Sequence, residues 1–368
     1  MPVATRVAFF DHAAVAPLSE PARLAVRRWA DEATENGNAD WPRWDRRQSE
    51  LRELAARLVN ADKDEIALVQ NTTAGINLVA EGLDWRERDN IVTLADEFPS
   101  NQYAWLNQQS RGVEVRRVPT DNGRVDLDRL ESACDQRTRL ISISWVGYLS
   151  GWRNDLNAIA DIARRQGAMF FLDAIQGLGV FPLDVQKTRV DFFAADGHKW
   201  LLGPEGAGLF YIRREHLDRL RPIGVGWNSV PHASDFTRIE WEPRASAARY
   251  EGGTANAVGL LGLAESLELL MSFGTEAIRE RILSYTTTLC EQLRNAGTVI
   301  HSHREQAEHC SGIVTFELPG VDSQHARRVC ARANVALSCR AGRLRVSPHA
   351  YNDQTDLDRL LAALEEAG

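Results

Sequence analysis

The 368-residue sequence predicts an α/β fold: a large domain with a mostly parallel sheet between helices, joined to a smaller α+β C-terminal domain. Three observations predict it. Strand-like and helix-like segments alternate from about Asp64 to Arg213. One of these strands, Ala168–Asp173, is apolar on both faces up to its terminal acid, as buried parallel strands are. After Asn256 the alternation stops and two long helical stretches take over.

The elements follow in order. Ile66–Gln70 reads as a short apolar strand and Thr72–Gly82 as a helix. Asn90–Ala95, Val113–Val118 and the β-branched run Leu140–Trp145 read as strands. Leu156–Arg165 has helical spacing and leads into Ala168–Asp173; Asp191–Ala195 and Gly208–Ile212 complete the series. Beyond it, Leu260–Met271 and Ala277–Arg294 are helical. Then come Ile313–Glu317, a helix over Gln324–Asn334, strands Val335–Ser338 and Arg343–Ser347, and a final helix from Gln354. The domain break is placed at Gly252-Gly253-Thr254-Ala255-Asn256. That gives a large domain over 16–256, with 1–15 and 257–368 forming an N-terminal arm and the small domain.

Composition narrows the function classes. Lys and Arg total 43 against 51 Asp and Glu, a net charge of −8, which speaks against a nucleic-acid partner. No apolar run nears the ~20 residues of a membrane helix, and the N-terminus lacks the basic and apolar regions of a signal peptide, so no membrane partner is expected. The five cysteines are odd in number and scattered, which suits a reduced, cytoplasmic protein.

Open α/β sheets bind ligands beyond the carboxyl ends of their strands. Four features fall there. Asn71-Thr72-Thr73-Ala74-Gly75 follows a strand and opens a helix, whose unpaired N–H groups and positive end suit a phosphate; alone, it would be read as a Thr cap. Asp173 ends an apolar strand, where an acid is costly without a partner such as a protonated pyridine nitrogen. Gln176, three residues on, could reach a neighbouring ring oxygen; a lone Asp would instead cap a helix. Lys199 follows strand Asp191–Ala195 amid apolar residues that can lower its pKa for imine formation. The glycines after it precede a strand rather than a helix, so a dinucleotide-binding reading fails. Arg345 ends a small-domain strand and could clamp a carboxylate bidentately, although a lone arginine is more often a surface ion pair.

In this order, NTTAGIN (71–77), EFPSN (97–101), LDAIQ (172–176), DGHKWLLGPEGAG (196–208), GGTAN (252–256) and LRVSPHAYN (344–352) resemble the class V aminotransferase superfamily. That superfamily includes cysteine desulfurases, selenocysteine lyases, kynureninases and isopenicillin-N-epimerase-like proteins. The resemblance covers nearly the whole chain and implies the pyridoxal 5′-phosphate (PLP) fold type I. It also implies roles. Lys199 would be the Schiff-base lysine and proton shuttle, and Asp173 would pair with the pyridinium nitrogen. Gln176 would bond the ring hydroxyl oxygen, Thr72 and Thr73 the phosphate, and His198 would lie near phosphate or ring. Phe98 would pack on the ring face, and Arg345 would hold the substrate α-carboxylate. Thr254 would reach the phosphate of a neighbouring subunit, making a homodimer with shared sites. His12, in a stretch that often approaches substrate, is a substrate-side candidate.

Two departures stand out. Asp196 occupies a position where the family often has a phosphate-binding serine, and an aspartate there needs a basic partner or must point away. Only nine residues separate Val335 from Arg345, too few for the mobile loop that carries the nucleophilic cysteine in one desulfurase group. Cys339 therefore reads as a strand cysteine.

No feature is dedicated to β-elimination, which favours an aminotransferase acting on an amino acid or amine. A C–S or other β-lyase (cysteine or selenocysteine lyase, or kynureninase-like) stands close behind, with an epimerase as a further alternative. A non-catalytic PLP-fold sensor ranks low because lysine and acid are both present. A nucleotide-binding protein lacks its phosphate loop. His301, His303, His309 and Cys310 fit no zinc spacing, so no metal is expected. Trp227 and the Trp41–Trp44 stretch could line an entrance or simply pack.

Overall fold

A computed structural model describes residues 1–368. The chain opens with a short strand, β1 (Ala8–Phe9), followed by two helices, α1 (Glu20–Asn36) and α2 (Trp41–Val59). The Ser19 hydroxyl accepts the Ala22 N–H and caps α1. The expected alternation comes next: β2 (Ile66–Val69), α3 (Thr72–Gly82), β3 (Asn90–Leu94), α4 (Ser100–Leu106), β4 (Glu114–Val118), α5 (Leu127–Ser132), β5 (Thr138–Ser144), α6 (Leu156–Gln166), β6 (Met169–Asp173), β7 (Phe192–Asp196) and β8 (Gly208–Ile212).

These strands form one seven-stranded sheet in the order β2-β8-β7-β6-β5-β3-β4. Strands β3 to β7 pair in parallel, and β8 runs antiparallel between β2 and β7. The sheet is covered on both faces, which is why β6 is apolar throughout. Phe170 and Leu172 enter one core with Leu54, Ile159 and Leu263, while Phe171 enters another with Ile76, Trp105 and Phe210. The register aligns Ser144 of β5 with Asp173 of β6, and Asp173 with Ala194 of β7. The strand ends that carry the predicted chemistry therefore lie side by side.

The second half contains α7 (Ala257–Phe273), α8 (Thr275–Asn295), β9 (Val299–Ile300), β10 (Val314–Glu317), α9 (Ser323–Arg332), β11 (Val335–Ala336), β12 (Ser338–Arg340), β13 (Arg343–Val346) and α10 (Gln354–Ala367). Strands β12-β13-β10-β9 make an antiparallel sheet, and β1 pairs in parallel with β11. The division of packing differs from the break read at 256. Helix α7 is apolar almost all round, and its Leu260, Leu263, Ala264, Leu267 and Leu270 belong to the large core. The chain bends by 79° between α7 and α8. Within α8, Ile278 and Ile282 still face the large core, whereas Tyr285, Leu289 and Leu293 face the small one. The GGTAN stretch is a loop before α7, not the edge of a core. The N-terminal arm is likewise divided: Ala8 and Phe10 pack in the small core and Ala13 in the large one. No single helix is long and apolar enough to cross a membrane.

Candidate active site

Two strand ends and one turn build the centre. Asp173, the last residue of β6, is 2% exposed and accepts one hydrogen bond, from the Ile175 N–H at 3.2 Å. Burial pushes its carboxyl up to about 6, against the pull of the Lys199 charge. Lys199 sits three residues past the end of β7, on a turn at which a Cβ on Gly197 would stand 2.7 Å from the Ala207 carbonyl oxygen. Burial pulls its amine down to about 8, although Asp173 and Asp196 favour the charged form. Lys199 Nζ stands 5.6 Å from the centroid of the Phe98 ring, which lies edge-on to Tyr148.

Helix α3 supplies the anion end. Asn71, not a threonine, is its cap: Asn71 Oδ1 accepts the Ala74 N–H at 2.8 Å. That leaves Thr72 Oγ1 buried and without a partner at the mouth of an 11-residue helix. Thr73 Oγ1 lies 2.8 Å from Ser100 Oγ at the start of α4. His198 Nδ1 lies 2.9 Å from Asp196 Oδ1, but no hydrogen bond joins the two atoms. Gln176 is a bridge: its Nε2 donates to the Ala13 carbonyl at 3.1 Å, and its Oε1 accepts from Trp200 Nε1 at 2.8 Å. One amide N–H remains for the ring oxygen that the sequence reading assigned to it.

The small domain closes the other side. Arg345, also 2% exposed, donates through Nε to Ser338 Oγ, through Nη1 to the Tyr148 carbonyl and through Nη2 to Asp11 Oδ1, at 3.2, 2.8 and 3.3 Å. Ser338 Oγ also donates to Asp11 Oδ1 at 2.9 Å. The guanidinium is fixed in plane with two of its five N–H groups left over, so it is no surface ion pair.

His12 does not take the substrate-side position expected of it. Its Nδ1–H donates to the Ser347 carbonyl at 2.9 Å and its Nε2 accepts the Tyr351 hydroxyl at 2.7 Å. It is fully buried among Trp200, His349 and Tyr351, with both nitrogens occupied. Burial drives its pKa well below the usual imidazole range. Thr254 is exposed and lines a hollow of about 360 Å³ with Gln70, Ala74 and Asn77. Trp44 packs against Trp29, donates to Glu32 and lines a hollow with Arg43, Arg47 and Glu265; Trp227 meets Phe236 on an exposed loop. Cys339 pairs with Leu344 in the hairpin and faces α9, where Asp322 and Arg327 act on it, turned away from Ser338 and Arg345. His301, His303 and His309 go to three separate partners: Glu317, the Asp121 carbonyl and the Arg153 carbonyl.

Sequence reasoning missed Asp11, Ser338, Tyr148 and Glu97. Burial pushes Glu97 up to about 7, and it accepts the Ser144 N–H at 2.7 Å beside Asp173. Its signal was available, because Glu97 begins EFPSN at the end of β3.

The set fits PLP: an orphaned hydroxyl at a helix N-terminus for phosphate, a buried carboxylate for a pyridinium, and an amine of lowered basicity. A family model, aminotransferase class-V, matches residues 39–360. The chain belongs to this family. A probable cysteine desulfurase of Methanothermobacter thermautotrophicus is 30% identical over 97% of this chain and 94% of its own length. An apo cysteine desulfurase structure from Thermococcus onnurineus NA1 superposes with a TM-score of 0.91 at 25% identity, covering 100% of this chain and 96% of that one. The cystine C–S lyase C-DES, solved with its product cysteine persulfide, shares the fold at a TM-score of 0.93 and 24% identity, covering 100% and 99%. This class-V protein is thus a PLP-dependent enzyme with the PLP fold type I.

Proposed function

We propose that the protein is a C–S lyase acting on a cysteine-type amino acid. The observation that carries this reading is the buried Lys199 amine, poised near neutrality between Asp173 and the Phe98 ring, in a chain whose relatives are named cysteine desulfurases. Transamination, the reaction the sequence favoured, would use the same residues but has less support from those relatives.

In this reading Arg345 takes the substrate carboxylate with its two free N–H groups. The Lys199 amine removes the Cα proton and returns a proton to product. Asp173, in its ionised form, would pair with the pyridinium nitrogen. Thr72 and Thr73 would hold the phosphate end, with His198 near phosphate or ring, and the remaining Gln176 N–H would hold the ring oxygen. Bound PLP supplies the electron sink for charge developing at Cα. The Cβ–S bond breaks with its electron pair leaving on sulfur. Overall, R–S–CH2–CH(NH3⁺)–COO⁻ and water give R–SH, pyruvate and ammonium. Because Cys339 faces α9, sulfur departs as a free thiol rather than passing to that cysteine. Thr254 would complete the site of a second copy, a reading supported by its exposure and by the exposed Phe236, Ile239 and Trp241.

The test is product analysis of the purified holoenzyme with L-cysteine and S-alkyl-L-cysteines. Thiol and pyruvate in equal amounts are expected, lost in Lys199→Ala by at least ~10²-fold. Amino-group transfer to a 2-oxo acid without thiol release would overturn the proposal, and alanine in place of pyruvate would overturn the free-thiol step.

A further inference from the structure

One cation beside the site has no assigned work. Strands β12 and β13 form a tight hairpin in which Ser338 faces Arg345 and Arg340 faces Arg343. Side chains alternate along a strand, so Ser338 and Arg340 share the face opposite Cys339. On that face Ser338 and Arg345 are tied to Asp11, and Arg343 Nη1 donates to Asn122 Oδ1 at 3.1 Å. Arg340 is exposed and forms neither an ion pair nor a side-chain hydrogen bond. Its charge nevertheless reaches inward, acting on Lys199, Arg345, Asp11 and Tyr148.

Arg340 is also held in place from behind. The two hairpin-turn residues, Ala341 and Gly342, both have positive φ, 48° and 77°, the geometry of the tightest hairpin connection. The backbone of Arg340 is thereby fixed relative to Arg345, five residues on. The two guanidiniums differ in their surroundings. Arg345 is buried and already shares charge with Asp11. Arg340 has no carboxylate of its own.

Resting on the reading of Lys199 and Arg345 as the amine and α-carboxylate ends of the site, we propose that Arg340 receives a second acid group on the substrate side chain. The preferred substrates are then amino acids whose substituent beyond Cβ carries a carboxylate-type anion. Arg345 fixes the end common to all amino acids, and Arg340 selects among them. A charge-assisted pair at this position should separate an acid from its uncharged amide by about ten-fold or more in kcat/KM.

The experiment compares S-carboxymethyl-L-cysteine with S-carbamoylmethyl-L-cysteine, which differ in charge and hardly in shape. Titrations of the visible band of the holoenzyme give Kd, and thiol release gives kcat/KM. The wild type should favour the acid by about ten-fold or more, Arg340→Gln should bring the ratio close to one, and Arg340→Lys should keep part of the preference. A ratio near one in the wild type, or an unchanged ratio in Arg340→Gln, overturns the role of Arg340. If both compounds shift the band but show no preference, only this inference falls. If no amino acid shifts the band, the reading of the site falls with it.

Discussion

At the scale of single residues, the site depends on two groups whose environments move them toward each other on the pH axis. Burial raises Asp173 to about 6 and lowers Lys199 to about 8 in the protein alone. Loss of a proton from either group favours cofactor capture, so both titrations act in the same direction as pH rises. Asp173 carries the charge that holds a pyridinium only above about 6, and Lys199 offers a neutral amine only as pH rises toward and past 8. Capture of PLP by the apoprotein should therefore quicken and tighten from pH 5 to about 8, then level off. Absorbance titrations across that range check it, and a rate flat from pH 6 to 9 would contradict the lowered Lys199. These two residues were legible in the sequence because an acid or a lysine ending an apolar strand is conspicuous. Asp11 and Ser338 were not legible. They reach Arg345 only through the β1–β11 pairing and the β12–β13 register, contacts between residues more than three hundred positions apart in the case of Asp11. His12 misled for the complementary reason: its neighbourhood in sequence resembled a substrate-facing stretch, while the fold turns its ring into the Trp200, His349 and Tyr351 cluster.

At the scale of elements, the phosphate end depends on how closely α3 lies on the sheet. A Cβ on Gly75 would stand 2.6 Å from Ala194 Cβ on β7, the strand that leads to Lys199. Gly75→Ala must push α3 away from β7. Overpacking of this kind costs about 1–3 kcal/mol. It should also carry Thr72 and Thr73 away from the Lys199 turn. The expected result is a lower Tm together with weaker PLP binding, read by thermal denaturation and by cofactor titration. A variant with unchanged PLP affinity would separate the helix position from the phosphate site. The β2–α3 step at this contact was readable because β2 is apolar and α3 follows it within three residues. Helices α1 and α2 are marked at their starts by Ser19, Pro21 and Pro42 but carry little periodic apolar signal. Their many arginines and acids mask the apolar stripe through Leu51, Leu54 and Ala55 that packs on the large core.

At the scale of the whole molecule, the change of pattern after Asn256 precedes the change of core by one helix, because α7 is helical like the segment after it but packs with the sheet before it. Its apolar residues commit it to the large core, so that GGTAN, just before it, stays on the large domain with Thr254 exposed. That placement makes the shared-site proposal testable by mixing subunits. If Thr254 serves the phosphate of the partner, each site combines Lys199 from one chain with Thr254 from the other. Thr254→Ala and Lys199→Ala homodimers should then both be weak. A heterodimer of the two should contain one site with both residues altered and one with both intact. Random reassortment of equal amounts should restore about a quarter of the wild-type sites. If Thr254 acts within its own chain, every site in the mixture keeps one defect and nothing is restored. If Thr254→Ala alone keeps full PLP affinity and turnover, the residue has no part in either site. Chain exchange after mild dilution, followed by activity and visible absorbance, distinguishes the three arrangements, and only recovery in the mixture supports a site built from two subunits.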